Sequence, residues 1–335
     1  MIAWLAACAV SEAPPALPEA PFVSGEAAAL SELVAQLAFL EDAPAAALSG
    51  SLPAQLAGCQ RTHGWSTWSC DEPGSAEAAR GDAALLVGLP LGEGLVLARG
   101  GPNPGGARFD LELFEPTGFG SFLRAAEDGP GASVLEPEGA FLHARGRTAE
   151  LDLAALVPEG SQADELFGLR SELFSATVLD GTWELAAWPP EGVNPAPRAA
   201  VALGVRDPDL AARAVGAMLD ELVGRWPALS PTPFVAEGGS GGCLLDVNLL
   251  PELAPCWLVT DRAVVVGWNE ASVRLGSAPV PTLVVDFVAL AGSDALLHAA
   301  LEPDVPHQPL AYPWERLTVD LGWGEGRTVG TLVLR

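Results

Sequence analysis

Three stretches of the chain share one order of apolar patterns, and this order constrains the fold more than any other feature. In each stretch an alternating strand pattern precedes a helix pattern, and two further strand patterns follow. The stretches begin at residues 107, 198 and 282. Short connections between successive strands favour antiparallel pairing. The order therefore predicts an α+β protein with antiparallel-rich sheets, helices packed on one face, and repeated strand-helix-strand-strand units of unequal length.

The helix predicted after Asp207 has the strongest local signals. Asp207 is a favourable N-cap, Pro208 suits the first helical position, and Pro227 ends the helix. One broad apolar stripe at helical spacing runs between them and predicts packing against a sheet rather than a partner-binding groove. Its members are Leu210, Ala211, Ala214, Val215, Met218, Leu219, Leu222, Val223 and Trp226.

The N-terminal half carries weaker signals of the same kinds. Apolar spacing over residues 24–42 predicts a helix with Ser24 as its N-cap. Two apolar runs, 84–91 and 94–100, predict a pair of strands. The Gly/Pro-rich segment 100–107 is typical of an irregular connection.

A chain of 335 residues with 49% hydrophobic content is long enough and apolar enough to bury a large core. Its length predicts two folded domains. The expected division is an anchor and Pro/Ala-rich tether over 1–20, an α+β domain over 21–178 and a second α+β domain over 179–335.

The cysteine count is five, and an odd number in an exported protein requires an explanation. Cys59 and Cys70 form one close pair in sequence, and Cys243 and Cys256 form another. Loops of this length can close into disulfides, each worth roughly 3 kcal/mol on a chain-entropy estimate. Two disulfides leave Cys8 alone.

The segment Leu5-Ala6-Ala7-Cys8 resembles the lipobox of bacterial lipoproteins, in which the cysteine is lipidated and becomes the first mature residue. The Pro/Ala/Glu-rich segment after it is typical of a tether. However, no basic residue precedes Cys8, whereas a signal peptide has a positive first region. Two alternatives stay open: a true start upstream of Met1, or a cytoplasmic protein with five reduced thiols.

The lipoprotein interpretation predicts export to the periplasm or outer-membrane anchoring in a Gram-negative bacterium. Outside the N-terminal segment, no stretch approaches the eighteen or so apolar residues of a membrane span. We therefore expect membrane attachment only through the lipid on Cys8.

The net charge of −26 is compatible with a solvated surface. Spread over about 13,000 Å² of folded surface, it gives a mean spacing near ~20 Å, which exceeds the Debye length of about 8 Å in physiological salt. An acidic surface is a poor partner for nucleic acid or anionic lipid headgroups. Neither is therefore expected as a partner.

Two short motifs resemble known sites. Residues 65–70, WSTWSC, are similar to the Trp-Ser-x-Trp-Ser segment of thrombospondin type 1 repeats, but the other cysteines and arginines of that module are missing. We interpret them as part of a disulfide-stapled loop. Gly238-x-Ser240-x-Gly242 has the spelling of a hydrolase nucleophile elbow, which requires a strand before the serine and a helix after it. Here a Pro-rich loop precedes the serine, the five small residues 238–242 predict a flexible connection, and a strand follows. A serine hydrolase is therefore the third functional hypothesis.

The four histidines are scattered and follow no zinc-ligand spacing, so neither a metal site nor a cofactor is expected. Tryptophans near strand ends are the remaining candidates for binding. They could line a concave sheet that holds an apolar ligand, although core packing explains them as well. The candidates are Trp183, Trp188, Trp257 and Trp268.

Residues 198–276 are similar in pattern to uncharacterised exported bacterial repeat proteins, a resemblance that implies no catalytic residues. The sequence therefore predicts a non-enzymatic envelope lipoprotein with a binding or structural role and an unknown protein or apolar ligand as its partner. The first alternative is a carrier of an apolar, lipid-like ligand. A carrier should contain an apolar cavity lined by tryptophans, and a hydrolase should place a histidine beside Ser240.

Overall fold

The structure is a computed structural model, and it describes most of the chain after residue 80 together with short pieces before it. The described residues are 22–25, 28–29, 32–33, 36, 60–61, 68–69, 80–91, 94–114, 132–147, 175–191, 197–236, 238–244, 254–301, 306–307, 312–324 and 327–335.

Strands dominate the described residues. In chain order they are β1 (Phe22–Gly25), β2 (Gln60–Arg61), β3 (Trp68–Ser69), β4 (Leu85–Leu91), β5 (Gly94–Asn103), β6 (Gly106–Phe114), β7 (Leu142–Arg147), β8 (Leu179–Trp188), β9 (Arg198–Val205), β10 (Pro231–Ala236), β11 (Gly239–Leu244), β12 (Cys256–Thr260), β13 (Ala263–Gly267), β14 (Leu283–Asp286), β15 (Arg316–Gly324) and β16 (Arg327–Leu334). Two longer helices are α1 (Pro208–Arg225) and α2 (Phe287–Leu301), and a 3-10 helix spans Glu270–Val273.

Fourteen of these strands form one open sheet in the order β1-β4-β5-β6-β16-β15-β14-β7-β8-β9-β13-β12-β11-β10. Every strand pair recorded in the described residues is antiparallel. Strands β2 and β3 form a separate ladder. The predicted antiparallel-rich sheet with helices is thereby confirmed at the level of a β-rich fold with minor helices.

The sheet continues across the predicted domain boundary at residue 178. Strand β7 lies before that boundary and pairs with β8 and β14, which lie after it. Strand β6 pairs with β16 at the far end of the chain. Backbone pairing does not by itself define a folding unit, so the division into two domains stays a prediction.

Helix α1 forms as its sequence predicts. The carboxylate of Asp207 accepts hydrogen bonds from the N–H groups of Asp209 at 2.9 Å and Leu210 at 3.0 Å, and Pro208 occupies the first turn. These contacts satisfy N–H groups that lack partners within a helix. The apolar stripe packs onto the sheet from Leu210 to Leu219, with Ala211, Ala214 and Val215 buried. Its predicted last member, Trp226, is instead 50% exposed at the end of the helix.

Two local predictions in the N-terminal half are wrong. Ser24 is not a helix cap; it lies in β1, where it pairs with Leu86 of β4. Helical residues within 28–36 follow that strand. The Gly/Pro-rich segment is not an irregular connection, because β5 extends to Asn103 and β6 begins at Gly106. Gly105 makes the tight turn between them, with φ of +85°.

The second and third predicted repeats contain the expected strand, helix and strand pair, but their sheet partners differ. In the second, β9 pairs with β13, the later strand of the following pair. In the third, β14 pairs with β15, the earlier strand. None of the helices in the described part of the chain is long and apolar enough to cross a membrane.

The two faces of the sheet carry separate cores. On one, which we call the α1 face, α1 packs over β8, β9 and β13, and the helical residues before β4 pack over β6. On the other, which we call the groove face, loop residues such as Val134 and Leu135 cover β8, β9, β12 and β13. The groove described below lies on this second face.

Candidate functional site

An open groove of about 810 Å³ lies on the groove face, between edge strand β10 and the 3-10 helix that follows β13. Its volume falls within the range of small-molecule sites, about 300–1,000 Å³. The larger apolar side chains that line it are Phe234, Leu258, Val273 and Leu275. Three charged residues, Glu136, Glu270 and Arg274, complete the lining with two alanines. The groove therefore combines an apolar floor with a charged rim.

The floor of the groove is open at β11 because a glycine stands where another residue would place a side chain. Gly241 stands between Phe234 of β10 and Leu258 of β12 in the sheet register, so no side chain separates these two. A Cβ atom on Gly241 would lie 1.9 Å from the carbonyl oxygen of Trp257, which no residue but glycine can avoid. The close approach of β11 to β12 therefore depends on this glycine.

Residues 238–242 are not the flexible connection that the sequence predicts, because Gly239–Leu244 is a strand paired on both sides. Glycines at alternate positions, 239 and 241, fall on the same side of the strand. That alternation, directly before an apolar strand pattern, is the signal that could have identified the groove floor.

The charged residues on the rim have no salt-bridge partner in the described part of the chain. Arg274 and Glu270 are exposed and Glu136 is half-buried. By contrast, Arg99 is paired with Glu112 on the solvent side of β5 and β6. Both signs of charge are thus available to a molecule in the groove.

One wall of the groove is a short antiparallel pair of loop segments. The N–H of Glu136 donates to the carbonyl of Arg274 at 3.4 Å, and that of Gly276 donates to Val134 at 2.8 Å. Leu135 and Leu275 are opposite each other in this pair. The position of Glu136 on the rim therefore depends on where the segment around Val134 is held.

Glu184 of β8 fastens that segment to the sheet. Its Oε2 accepts a hydrogen bond from the N–H of Val134 at 2.7 Å, and its Oε1 accepts one from Leu135 at 3.2 Å. The hydroxyl of Ser133 donates to Oε1 as well. A buried N–H without a partner is costly. The carboxylate therefore satisfies groups that the loop backbone cannot pair by itself.

The charge of Glu184 is compensated within the sheet. Arg145 of β7 lies directly opposite in the strand register, and Nε2 of His143 lies 2.7 Å from Oε1. Burial alone would raise the pKa of Glu184, but the hydrogen bonds from His143, Ser133 and Val134 outweigh it and hold that pKa below its usual value. Burial lowers the pKa of Arg145, and the nearby carboxylate opposes this shift.

This network is not positioned for catalysis. Glu184 is 3% exposed, and His143 and Arg145 are each 2% exposed, so a substrate has no access to them. Because a carboxylate has no hydrogen to donate, Nε2 of His143 carries the shared hydrogen. Nδ1 of His143 is buried, and no described residue forms a hydrogen bond with it. The network's physical effect is to hold the wall of the groove against the sheet.

A disulfide joins the two strands at the groove floor. Cys243 of β11 and Cys256 of β12 are opposite in register, with Cα atoms 4.1 Å apart, and they are bonded as predicted. Cys8, Cys59 and Cys70 lie outside the described residues. The β2–β3 ladder, which Cys59 and Cys70 flank in sequence, is described.

The four candidate tryptophans do not share one surface. Trp188 is buried in the core of the groove face, with the guanidinium of Arg198 5.7 Å from its ring centroid. Trp183 and Trp257 pack in the core under α1. Trp268 is 43% exposed at the end of β13. Their distribution on both faces argues against a common lining.

Trp183 alone of the four lines a second cavity. This cavity has a volume of about 220 Å³ and is almost wholly apolar, with Ala144, Leu283 and Leu321 among its other residues. It lies on the α1 face, between the apolar cluster under α1 and the apolar cluster over β6.

The last catalytic candidate from the sequence is Ser240, the serine of the hydrolase hypothesis. Ser240 is exposed within β11, in a β-hairpin rather than between a strand and a helix. Among the described residues, no hydrogen bond joins it to a histidine. The rings of His298 and His307 lie 4.7 Å apart, far along the chain from it. No group of three His, Cys, Asp or Glu residues in the described ranges is arranged to hold a metal ion.

No protein-family model matches the sequence, and no curated protein or solved structure shows significant similarity to it.

Proposed function

We propose that this chain is an exported, lipid-anchored binding protein of the cell envelope, without catalytic activity, whose ligand occupies the groove on the groove face. The observation that carries the proposal is the combination of an apolar floor with three charged residues that have no salt-bridge partner among the described residues. Apolar surface with a few polar groups is the usual composition of small-molecule sites. Export and the lipid anchor on Cys8 are the part that rests on sequence.

The disulfide supports the proposal that the protein is exported from the cytosol. Disulfides persist in the periplasm and outside the cell, and they are rare in the reducing cytosol. The bond between Cys243 and Cys256 is therefore what an exported protein would carry. With Cys59 and Cys70 as a second expected pair, only Cys8 is left for lipidation.

Intact-mass spectrometry of the protein from its native membrane fraction tests export and anchoring. We expect the mass of a chain that begins at a diacylated or triacylated Cys8, with a gain of four hydrogens on reduction from the pairs Cys59–Cys70 and Cys243–Cys256. A full-length chain with five free thiols would overturn both export and the anchor.

A blocked groove should lose its ligand. We expect Ala236→Trp to weaken binding of the uncharged fluorescent probe N-phenyl-1-naphthylamine at least tenfold, because the indole would occupy the groove beside Phe234. Val235→Trp is the matched control, since Val235 is the neighbouring residue on β10 and is 88% exposed on the opposite face. Fluorescence titration measures both. Equal binding by Ala236→Trp and the original protein would locate the probe elsewhere.

The apolar cavity beside Trp183 favours a second candidate, a carrier of an apolar ligand. The same titration separates the two sites. Ala144→Leu would fill part of the cavity without touching the groove. Loss of probe binding in this variant, with binding retained in Ala236→Trp, would favour the carrier.

We also propose that the strand-helix-strand-strand order reflects repeated units, as in the exported repeat proteins that residues 198–276 resemble. The shared order of β9 and α1 with β12 and β13, and of β14 and α2 with β15 and β16, supports it. The extra hairpin of β10 and β11 in the former supplies the edge of the groove.

A further inference from the structure

We propose that the ligand of the groove is a zwitterionic amphiphile with a single hydrocarbon chain, carrying an ammonium group and a phosphate. This inference rests on the proposed function of the groove and specifies its ligand. The hydrocarbon chain lies on the floor, the ammonium meets Glu136 and Glu270, and the phosphate meets Arg274.

The charges on the rim select against ligands of one sign. A purely anionic ligand would meet Arg274 but also two carboxylates, in a protein with a net charge of −26. A purely cationic ligand would leave Arg274 without a partner. A ligand that carries both signs can pair with Arg274 and with Glu136 or Glu270 at once, and hydrogen bonds between charged groups are stronger than neutral ones.

The floor selects a hydrocarbon body over a peptide. The partly exposed apolar residues of the lining, Phe234, Ala236, Ala271 and Leu275, offer no polar side-chain atom to the ligand. An amide laid against such a surface loses its hydrogen bonds to water without replacement, whereas a methylene chain gains by burial.

The edge of the sheet also disfavours a peptide as the ligand. Strand β10 is the last strand in the order, but Pro231 and Pro233 have no N–H to donate to an added strand. An extended peptide therefore cannot continue the full sheet ladder along β10. A hydrocarbon chain requires no such ladder.

The test uses the full chain with Cys8→Ser, which prevents lipidation, and isothermal titration below the micellar concentration of each probe. The probes are 12-carbon lysophosphatidylethanolamine, the matching lysophosphatidylglycerol, the matching monoacylglycerol and the tripeptide Leu-Phe-Leu. We expect the ethanolamine lipid to bind at least tenfold more tightly than the other three. Arg274→Gln and Glu136→Gln should each remove most of that preference.

The controls are Arg262→Gln and Glu138→Gln, which remove the same charges at residues outside the groove lining. They should retain the preference. If all three lipids bind equally and Ala236→Trp abolishes binding, the groove remains the site and the zwitterion proposal is overturned. If the tripeptide binds best, the proposal that the ligand has a hydrocarbon chain is overturned. If no probe binds and Ala236→Trp leaves N-phenyl-1-naphthylamine binding unchanged, the proposed function fails as well.

Discussion

Replacing Glu184 by alanine is expected to lower the free energy of unfolding by about 3–5 kcal/mol, because several buried donors would each lose an acceptor at a cost of about 1–3 kcal/mol. These donors are the N–H groups of Val134 and Leu135 and Nε2 of His143. Urea unfolding followed by tryptophan fluorescence measures the change. Groove binding should weaken too, because the wall that carries Glu136 is released.

A matched control separates burial from charge. Glu191 pairs with Arg198 at 2.9 Å, but its side chain is 55% exposed. Exposed pairs contribute about 0–1 kcal/mol, so Glu191→Ala should leave the unfolding midpoint nearly unchanged. Equal effects of Glu184→Ala and Glu191→Ala would show that the buried network does not hold the loop.

The contribution of Glu184 to the free energy of unfolding should decrease in acid. Its pKa in the folded protein lies below its value in the unfolded chain, so its contribution to stability is present above the unfolded pKa and is lost as pH falls through the folded pKa. The difference in unfolding free energy between the original protein and Glu184→Ala should therefore shrink below about pH 4, near the usual pKa of glutamate. A difference that grows in acid would contradict this assignment.

Elements with local signals could be predicted from the sequence. The helix α1 follows from Asp207, Pro208 and its apolar stripe, because caps and periodicity act within a few residues. The disulfide between Cys243 and Cys256 follows from a short loop that two adjacent strands can close. These features do not depend on distant parts of the chain.

The sheet order could not be predicted in the same way. Strand β6 pairs with β16, so Leu111 lies opposite Gly330 across more than two hundred residues of chain. Periodicity shows that a strand has an apolar side, but it does not identify the neighbour that lies beside it. The groove depends on such long-range pairing, because its floor comes from β10 and β12 while Glu136 precedes β7.

The Glu184 network has a signal in the sequence, the parity of its charged residues within their strands. Glu184 has the same parity in β8 as Ala186 and Trp188, which are buried on the groove face. His143 and Arg145 likewise alternate in β7. Charged residues in the inward phase of a strand predict a buried partner, since an isolated buried charge is too costly. The pattern indicates a partner without identifying it.

Loss of the disulfide should have the next largest effect on stability. The double substitution Cys243→Ala with Cys256→Ala is expected to lower the free energy of unfolding by about 3 kcal/mol, because the unfolded chain regains the freedom of a loop that spans thirteen residues in sequence. Urea unfolding under oxidising conditions measures it. Reduction of the original protein before unfolding should reproduce most of the change.

A variant without Cys59 and Cys70 tests whether the loss of stability belongs to the bond between Cys243 and Cys256. Cys59→Ala with Cys70→Ala, followed by reduction, should still show the loss that belongs to Cys243 and Cys256. Groove binding in the folded double variant should stay within a few-fold of the original, because the register of β11 against β12 also depends on backbone pairing around Gly241 and Leu258. If binding disappears while the fold persists, the bond itself positions the groove floor. If neither stability nor binding changes, the disulfide does not constrain the chain in solution.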